Sequence, residues 1–228
     1  MMPKTPMIQV AGVHDSAEAR LVCEAGANMI GFPQRLDFHR PDCSEQDVAA
    51  IVAGLPAQVI PVVICYCSTA RETDELMRIT NTHAVQLHGN IAVDEIVRLR
   101  TMRPEAYLIK SLVIGMHRSD AELAHMISAT QACVDCYITD TFDPTSGASG
   151  ATGKTHDWSV SARLVRHSAR PVILAGGLNA DNVAEAIQMV RPAGVDVHTG
   201  VEGADGRKDP VKLRRFVSNA AAAFDALG

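Results

Sequence analysis

The chain has 228 residues, enough for one large barrel or for two small domains. Its 21 Lys and Arg against 26 Asp and Glu leave a formal net charge of −5, which argues against nucleic acid or an anionic membrane surface as a partner. No apolar run approaches the roughly 18 residues of a membrane span, and the first residues, MMPKTPMIQV, lack a secretory pattern. We therefore expect a cytoplasmic protein.

Short apolar segments alternate with segments of helical periodicity along the whole chain. The apolar segments predict eight strands, at 7–11, 28–32, 58–65, 83–87, 106–113, 134–139, 171–175 and 195–199. The periodic segments predict eight helices, at 15–25, 44–53, 69–80, 93–100, 120–129, 157–167, 179–190 and 210–226. Asp15 and Ser44 are predicted N-caps, and Asn179 is predicted to open its helix.

This alternation predicts the α/β class and one (β/α)₈ barrel domain over residues 1–228. Hydrophobic residues at 47% with only 4% aromatic residues fit parallel strands covered by helices. A doubly wound sheet is the alternative, but Ala11-Gly12-Val13-His14 in the first turn lacks the dinucleotide fingerprint.

Six cysteines are scattered along the chain, at Cys23, Cys43, Cys65, Cys67, Cys133 and Cys136. They are too few for a disulfide scaffold in a chain of this length, so we expect reduced thiols. On a strand, Cys133 and Cys136 would point to opposite faces, whereas Cys65 and Cys67 would share one.

In such a barrel, chemistry lies at the C-terminal ends of the strands. Polar or ionisable candidates at or near the predicted ends, or on the strands leading to them, are Arg40, Cys67, Gln86, His88, Lys110, Asp140, Asp196 and His198. Each alone is readily explained as structural. Buried ionisable groups are costly without partners or purpose, so their convergence on one barrel mouth predicts an active site.

The loop after Asp140 is rich in Gly, Ser and Thr as far as Gly153. Such a loop lets backbone N–H groups approach an anion. Its segment ATGKT resembles the end of a P-loop, but Ala148 stands where that motif requires glycine, which disfavours nucleoside triphosphate binding. A plain flexible connection is the other alternative.

Glycines also follow the predicted strands 7 and 8. Gly176 and Gly177 precede Asn179, and Gly200 follows Thr199. Backbone N–H donors next to a helix N-terminus bind phosphate in many barrels, so these two loops predict a phosphate site. Gly153, from the loop after Asp140, is a further candidate for the same site. Tight turns without a ligand are the alternative.

Several motifs together resemble phosphoribosylanthranilate isomerase, the (β/α)₈ enzyme of tryptophan biosynthesis. They are GANMIGF followed by Arg40, VQLHGN at 85–90, Asp140, GATGKTHDW at 150–158, LAGGLNADNVAEAI at 174–187 and GVDVHTGVEGADGRKD at 194–209. The resemblance implies an Amadori rearrangement in which Asp140 is the general acid. It also implies a general base at the end of strand 1, where this chain has Ala11 instead of cysteine.

The chain departs from the family at two further places, His198-Thr199 on strand 8 and Phe38-His39-Arg40 after strand 2. We therefore expect an aldose–ketose isomerase of a phosphorylated ribosyl or ketose substrate, with Cys67, His88 or His198 as the replacement base. A Schiff-base lyase using Lys110 and a non-catalytic phosphosugar-binding barrel are the alternatives.

The substrate-binding candidates are Arg40, Gln86, Asp196 and Lys110, and the last could instead be the counter-charge of Asp140. We expect a small phosphorylated sugar as the partner, a monomer or homodimer, and neither a metal nor a cofactor.

Overall fold

The computed structural model describes residues 6–36, 40–115, 119–141 and 156–228. Within this part of the chain, eight parallel strands close into a barrel in sequence order. They are β1 (Met7–Ala11), β2 (Met29–Gln34), β3 (Ile60–Cys65), β4 (Ala84–Leu87), β5 (Tyr107–Ile114), β6 (Cys136–Thr141), β7 (Val172–Leu174) and β8 (Gly194–Val197). The predicted (β/α)₈ barrel is confirmed.

Eight α-helices alternate with the strands in the same described residues. They are α1 (Ser16–Ala25), α2 (Glu45–Ala53), α3 (Ala70–Thr80), α4 (Val93–Met102), α5 (Asp120–Thr130), α6 (Trp158–His167), α7 (Val183–Val190) and α8 (Pro210–Asp225). The N-caps predicted at Asp15 and Ser44 are confirmed, because their side chains accept hydrogen bonds from first-turn N–H groups of α1 and α2.

The structure corrects three predicted boundaries near the site. Asn179 does not open α7, since its Oδ1 accepts from the N–H groups of Asp181 and Asn182 in a turn before the helix. β8 ends at Val197, and Thr199–Val201 form a 3₁₀ turn. β6 extends to Thr141, so the strand itself holds Asp140.

The interior of the barrel has an apolar floor and a polar layer above it. The floor is a cluster of buried side chains that includes Met7, Met29, Val62, Ala84, Ile109, Ile138 and Ile173. Residues two apart on a strand point to the same face. The positions two residues beyond this floor are therefore directed to the same interior, and several are polar: Gln9, Gln86, Ser111 and Asp140.

Two larger clusters of buried aliphatic residues join the outside of the barrel to the helices. The six cysteines are free. Cys133 lies in the turn after α5, where its N–H donates to Thr130 O, whereas Cys136 is the first residue of β6. None of the helices in the described residues combines the length and apolar character needed to cross a bilayer.

Candidate active site

A cavity of about 220 Å³ opens at the C-terminal ends of the strands. Its lining includes, from the first half of the barrel, Ala11, Pro33, Arg40, Asp42, Ile64, Tyr66, Gln86 and His88. From the second half it includes Asp140, Gly176, Gly177, Leu178, Asp196, His198, Thr199 and Gly200. One pocket thus combines three carboxyl groups, two imidazoles, an arginine and two glycine-containing loops.

Two of these carboxyl groups, those of Asp140 and Asp196, have raised pKa values. Burial raises the pKa of Asp140 to about 7, against the opposing hydrogen bond from Thr141 N, and the negative charge of Asp196 raises it further. Burial also raises the pKa of Asp196 to about 7, while a hydrogen bond from Gln9 and the charge of Lys208 oppose it. Carboxyl groups that interact in this way release their protons in separate steps, so one proton remains available near neutral pH.

One hydrogen bond and a nearby imidazole position the carboxyl group of Asp140 at the top of β6. Thr141 N donates to its Oδ1 at 2.7 Å, and its Oδ2 lies 3.9 Å from His88 Nδ1. Only 12% of the Asp140 side chain is exposed. Its carboxyl group is therefore shielded from bulk water but open to the cavity, as a proton donor to a bound ligand requires.

A polar chain crosses the interior below the cavity. Gln9 Nε2 donates to Gln86 Oε1 at 3.1 Å, and Gln86 Nε2 donates to Ser111 Oγ at 3.2 Å. Ser111 Oγ lies 3.0 Å from His88 Nδ1, and the His88 ring packs against that of Tyr66. This chain fixes the amide and imidazole groups that form one wall of the cavity.

The opposite wall is built from backbone. Gly176 and Gly177 have φ values of 99° and 67°, a conformation that favours glycine. A Cβ on Gly200 would overlap the carbonyl oxygen of Leu178, so the β7 and β8 loops approach as closely as glycine permits. Within the described residues, the N–H groups of Gly177 and Gly200 donate no hydrogen bond. Two free N–H donors facing one cavity form a suitable anion site.

A half-buried histidine, His156, connects β6 to α6 beside this wall. Its Nδ1 lies 2.8 Å from Thr141 Oγ1 and its Nε2 2.6 Å from Ser161 Oγ. Burial lowers the pKa of His156 to about 4, so the ring is neutral. A Cβ on Gly176 would overlap Thr141 Oγ1, which shows how tightly the loop after β7 packs on this bridge.

The last component of the site is His198, which lies directly after β8. Its Nε2 is 3.3 Å from Glu202 Oε1. The ammonium group of Lys208, whose side chain is fully buried, donates to the same carboxylate oxygen at 2.7 Å. Burial lowers the pKa of His198 to about 3, and the positive charge of Lys208 acts in the same direction.

Comparison with known proteins identifies the family to which this barrel and its cavity belong. The family model of N-(5'-phosphoribosyl)anthranilate isomerase matches residues 8–219. The N-(5'-phosphoribosyl)anthranilate isomerase 2 of Methanosarcina mazei is 36% identical over 215 residues, which are 93% of each chain. The isomerase of Chromohalobacter salexigens is 37% identical over 92% of each chain.

The chain belongs to the phosphoribosylanthranilate isomerase family. Solved structures agree, since the Thermotoga maritima isomerase superposes with a TM-score of 0.79 at 26% identity, over 96% of this chain and all of that one. The resemblance read from the sequence motifs is confirmed. The chain is thus a phosphoribosylanthranilate isomerase-like enzyme of the aldose–ketose isomerase class, from a family of tryptophan biosynthesis.

Most of the site residues expected from the sequence line the cavity of this family member. They are Ala11, Arg40, Gln86, His88, Asp140, Gly176, Gly177, Asp196, His198, Thr199 and Gly200. Asn179 lies next to the lining and supports it through the turn described above. Gly153 and the loop residues Asp37 and His39 lie outside the described residues.

The structure does not bring Cys67 or Lys110 to the cavity. Lys110 alternates with the inward-facing Ile109 and Ser111, and its Nζ donates to the carbonyl groups of Leu87 and Gly89. Cys67 belongs to the apolar cluster outside the barrel. Hydrogen bonding by Cys65 lowers the pKa of Cys67 to about 7. That thiol nevertheless lies two residues beyond the end of β3 and is not part of the cavity lining.

Sequence reasoning missed several polar residues that complete the site, namely Gln9, Ser111, His156, Glu202 and Lys208. Ser111 shares its strand face with Ile109, but in a strand buried on both sides the sequence does not show which face is the inner one. Glu202 stands four residues after His198. That spacing was a usable signal, since it suits an interaction between the two side chains across a single turn.

Proposed function

We propose that this chain isomerises N-(5'-phosphoribosyl)anthranilate to the corresponding 1-amino-1-deoxyribulose phosphate. The observation that carries the proposal is the shared cavity of Asp140, Asp196 and the glycines Gly176, Gly177 and Gly200, in which the pKa of each carboxyl group is raised to about 7. A solved isomerase with the same fold, at a TM-score of 0.76, was obtained with reduced 1-(o-carboxyphenylamino)-1-deoxyribulose 5-phosphate. A ligand of that kind has the charges that this cavity complements.

The substrate phosphate lies between the Gly176-Gly177 and Thr199-Gly200 loops in this proposal. Its oxygens accept from the N–H groups of Gly177 and Gly200. Arg40, on the far side of the cavity, is the counter-charge for the anthranilate carboxylate. The two anionic ends of the substrate thereby fix the ribose between them, next to Asp140.

The reaction begins with proton transfer from Asp140 to the ring oxygen of the ribose. The bond from C1′ to that oxygen breaks while the nitrogen lone pair forms an iminium group with C1′. A general base then removes the proton from C2′, and its electron pair forms the C1′=C2′ double bond of an enolamine. Proton transfer from the C2′ hydroxyl group and to C1′ gives the ketose.

Asp196 assists this sequence as a charge next to the acid. By raising the pKa of Asp140, it keeps the proton on the acid at neutral pH. Because hydrogen moves as a proton in every step, the chain's own groups suffice for this chemistry. The absence of a required cofactor or metal remains a prediction, as do the cytoplasmic location and the monomeric or homodimeric state.

Rescue of a tryptophan auxotroph that lacks this isomerase tests the proposal. We expect the wild-type chain to restore growth without tryptophan and Asp140→Asn, expressed at the same level, to fail. Calorimetry with the reduced product analogue completes the test. Tight binding by the wild-type chain without rescue or turnover would replace the proposal with a non-catalytic phosphosugar-binding barrel.

A further inference from the structure

The proposed isomerisation requires a base that takes the C2′ proton, and the cavity offers few groups for it. Its ionisable side chains are Arg40, Asp42, Tyr66, His88, Asp140, Asp196 and His198. Asp140 is the acid of the first step in the proposed function, and the charge of Asp196 raises its pKa. His88 Nδ1 lies 3.0 Å from Ser111 Oγ and 3.9 Å from Asp140 Oδ2, so this imidazole stands beside the proposed acid.

His198 lies close to the position that the family gives to its base. In the β1–β8 ladder Gln9 pairs with Asp196 and Val10 with Val197, so Ala11 and His198 each follow the last paired residue of neighbouring strands. Both residues line the cavity. The methyl group of Ala11 is too small to fill the place of a larger side chain there.

The ring of His198 packs against the backbone directly after Ala11. A Cβ on Gly12 would overlap His198 Nε2, so the edge of the ring lies directly on the Gly12 backbone. Gly12 has a φ of 73°, which also favours glycine. The His198 side chain is 20% exposed and lines the cavity together with Ala11. It is therefore fixed by packing yet open to a ligand.

Glu202 and Lys208 determine which ring nitrogen is available. Nε2 lies 3.3 Å from Glu202 Oε1, a position that suits the protonated nitrogen of a neutral imidazole. Lys208 neutralises Glu202 at 2.7 Å and also donates to the carbonyl group of His198 at 3.3 Å. Nδ1 has no hydrogen-bond partner among the described residues, which leaves its lone pair for the substrate.

We propose that His198 is the general base, that its Nδ1 accepts the C2′ proton, and that Glu202 and Lys208 are positioning residues. This inference rests on the proposed isomerisation and names the group that performs its second step. The C2′–H electron pair passes into the C1′=C2′ bond while the imidazole becomes imidazolium. The new positive charge forms 3.3 Å from the Glu202 carboxylate, which stabilises it.

His198 is unprotonated in the resting enzyme. Burial lowers its pKa to about 3, and the positive charges of Lys208 and His14 act in the same direction. Glu202 faces the ring from the loop after β8. Asp42, from the segment before α2, faces His14 at 3.8 Å. The ring of His198 is therefore unprotonated throughout the physiological pH range.

Four proteins test the assignment: wild type, His198→Ser, Ala11→Cys and the double variant Ala11→Cys/His198→Ser. We expect His198→Ser to lower kcat by about 100-fold or more with KM changed by less than about threefold, since general-base assistance contributes about 10² to 10⁴ in rate. The double variant should regain at least about tenfold over His198→Ser, because a thiolate at position 11 replaces the imidazole.

His198→Gln is the matched control, since it retains a polar group of similar size that cannot take up a proton. It should lose kcat as His198→Ser does while keeping the wild-type melting temperature. The double variant should also gain an acidic limb in its pH profile that reports a thiol, and it should become sensitive to alkylation.

The outcomes separate the inference from the proposed function. Turnover by His198→Ser within about threefold of wild type, or its loss without any regain in the double variant, would overturn the base assignment alone. No turnover by wild type or by any variant would overturn the isomerisation itself. Independently of turnover, nitrogen-15 NMR should show the neutral Nε2–H tautomer of His198 between about pH 6 and 8. An imidazolium or an Nδ1–H tautomer would contradict the assignment.

Discussion

The cavity has two sides that use different atoms for different tasks. The side formed by the β7 and β8 loops presents backbone N–H groups from Gly177 and Gly200. The side formed by β6, β8 and β1 presents the carboxyl groups of Asp140 and Asp196 and the imidazole of His198. Backbone donors depend on glycine but hardly on side-chain chemistry. The catalytic side depends on side chains, which can move from one strand to its neighbour while the fold stays the same.

The largest expected effect breaks the catalytic side without disturbing the other. Asp140→Asn removes the proton donor, and we expect kcat to fall by about 10² to 10⁴, the usual contribution of general acid catalysis. Binding of the reduced product analogue should change by less than about threefold. Asp225→Asn, an exposed position at the end of α8, is the control. Near-normal kcat in Asp140→Asn would place the acid elsewhere.

A substitution on the backbone side should instead weaken binding of the phosphate group. Gly200→Ala forces the β8 loop away from Leu178 O, so the two N–H donors no longer converge. We expect affinity for ribose 5-phosphate, measured by calorimetry, to fall by about 100-fold, which corresponds to about 2.7 kcal/mol. In the control Gly54→Ala the added Cβ meets only Ile51 O at 3.6 Å. Unchanged affinity in Gly200→Ala would contradict the phosphate site.

The dependence of activity on pH tests whether the charge of Asp196 affects the pKa of Asp140. The acid is active when protonated, so kcat/KM of the wild type should decline as pH rises above about 7, the pKa of Asp140. Asp196→Asn removes the charge that raises this pKa. The alkaline limb should then move to lower pH, with a larger loss at pH 8 than at pH 6. A limb that does not move would show that the two carboxyl groups are not coupled.

The smallest expected effect concerns the bridge that His156 forms between β6 and α6. His156→Gln weakens the contacts to Thr141 Oγ1 and Ser161 Oγ, of which Ser161 is fully buried. A buried polar group without its partner costs about 1–3 kcal/mol. We expect a lower melting temperature and only a few-fold loss of kcat. His83→Gln, at an exposed position, is the control. An unchanged melting temperature would show that the bridge contributes little.

The sequence predicts the backbone side of this molecule better than the catalytic side. The glycine loops and Asp140 can be placed from strand order alone, because every strand of a barrel ends on the same face. The inward direction of each side chain cannot be read in the same way. Strands buried on both faces hide their alternation, so Lys110 was favoured over its neighbour Ser111, which lies inside.

Long-range contacts explain the remaining gap. His156 bridges residues on β6 and α6, and Lys208 joins the carbonyl group of His198 to Glu202. Neither contact has a periodic signal in the sequence. The contact of the His198 ring with the backbone of Gly12, next to Ala11, likewise becomes visible only in the structure.

The central claim is that this chain is a working isomerase although Ala11 cannot accept a proton. The most direct measurement is the steady-state loss of anthranilate fluorescence when N-(5'-phosphoribosyl)anthranilate, generated in situ, is mixed with the wild-type chain or with Asp140→Asn. The account predicts wild-type turnover within the ordinary enzyme range of about 1 to 10³ s⁻¹, and at least about 100-fold less for Asp140→Asn. Wild-type turnover no faster than that of Asp140→Asn would contradict it.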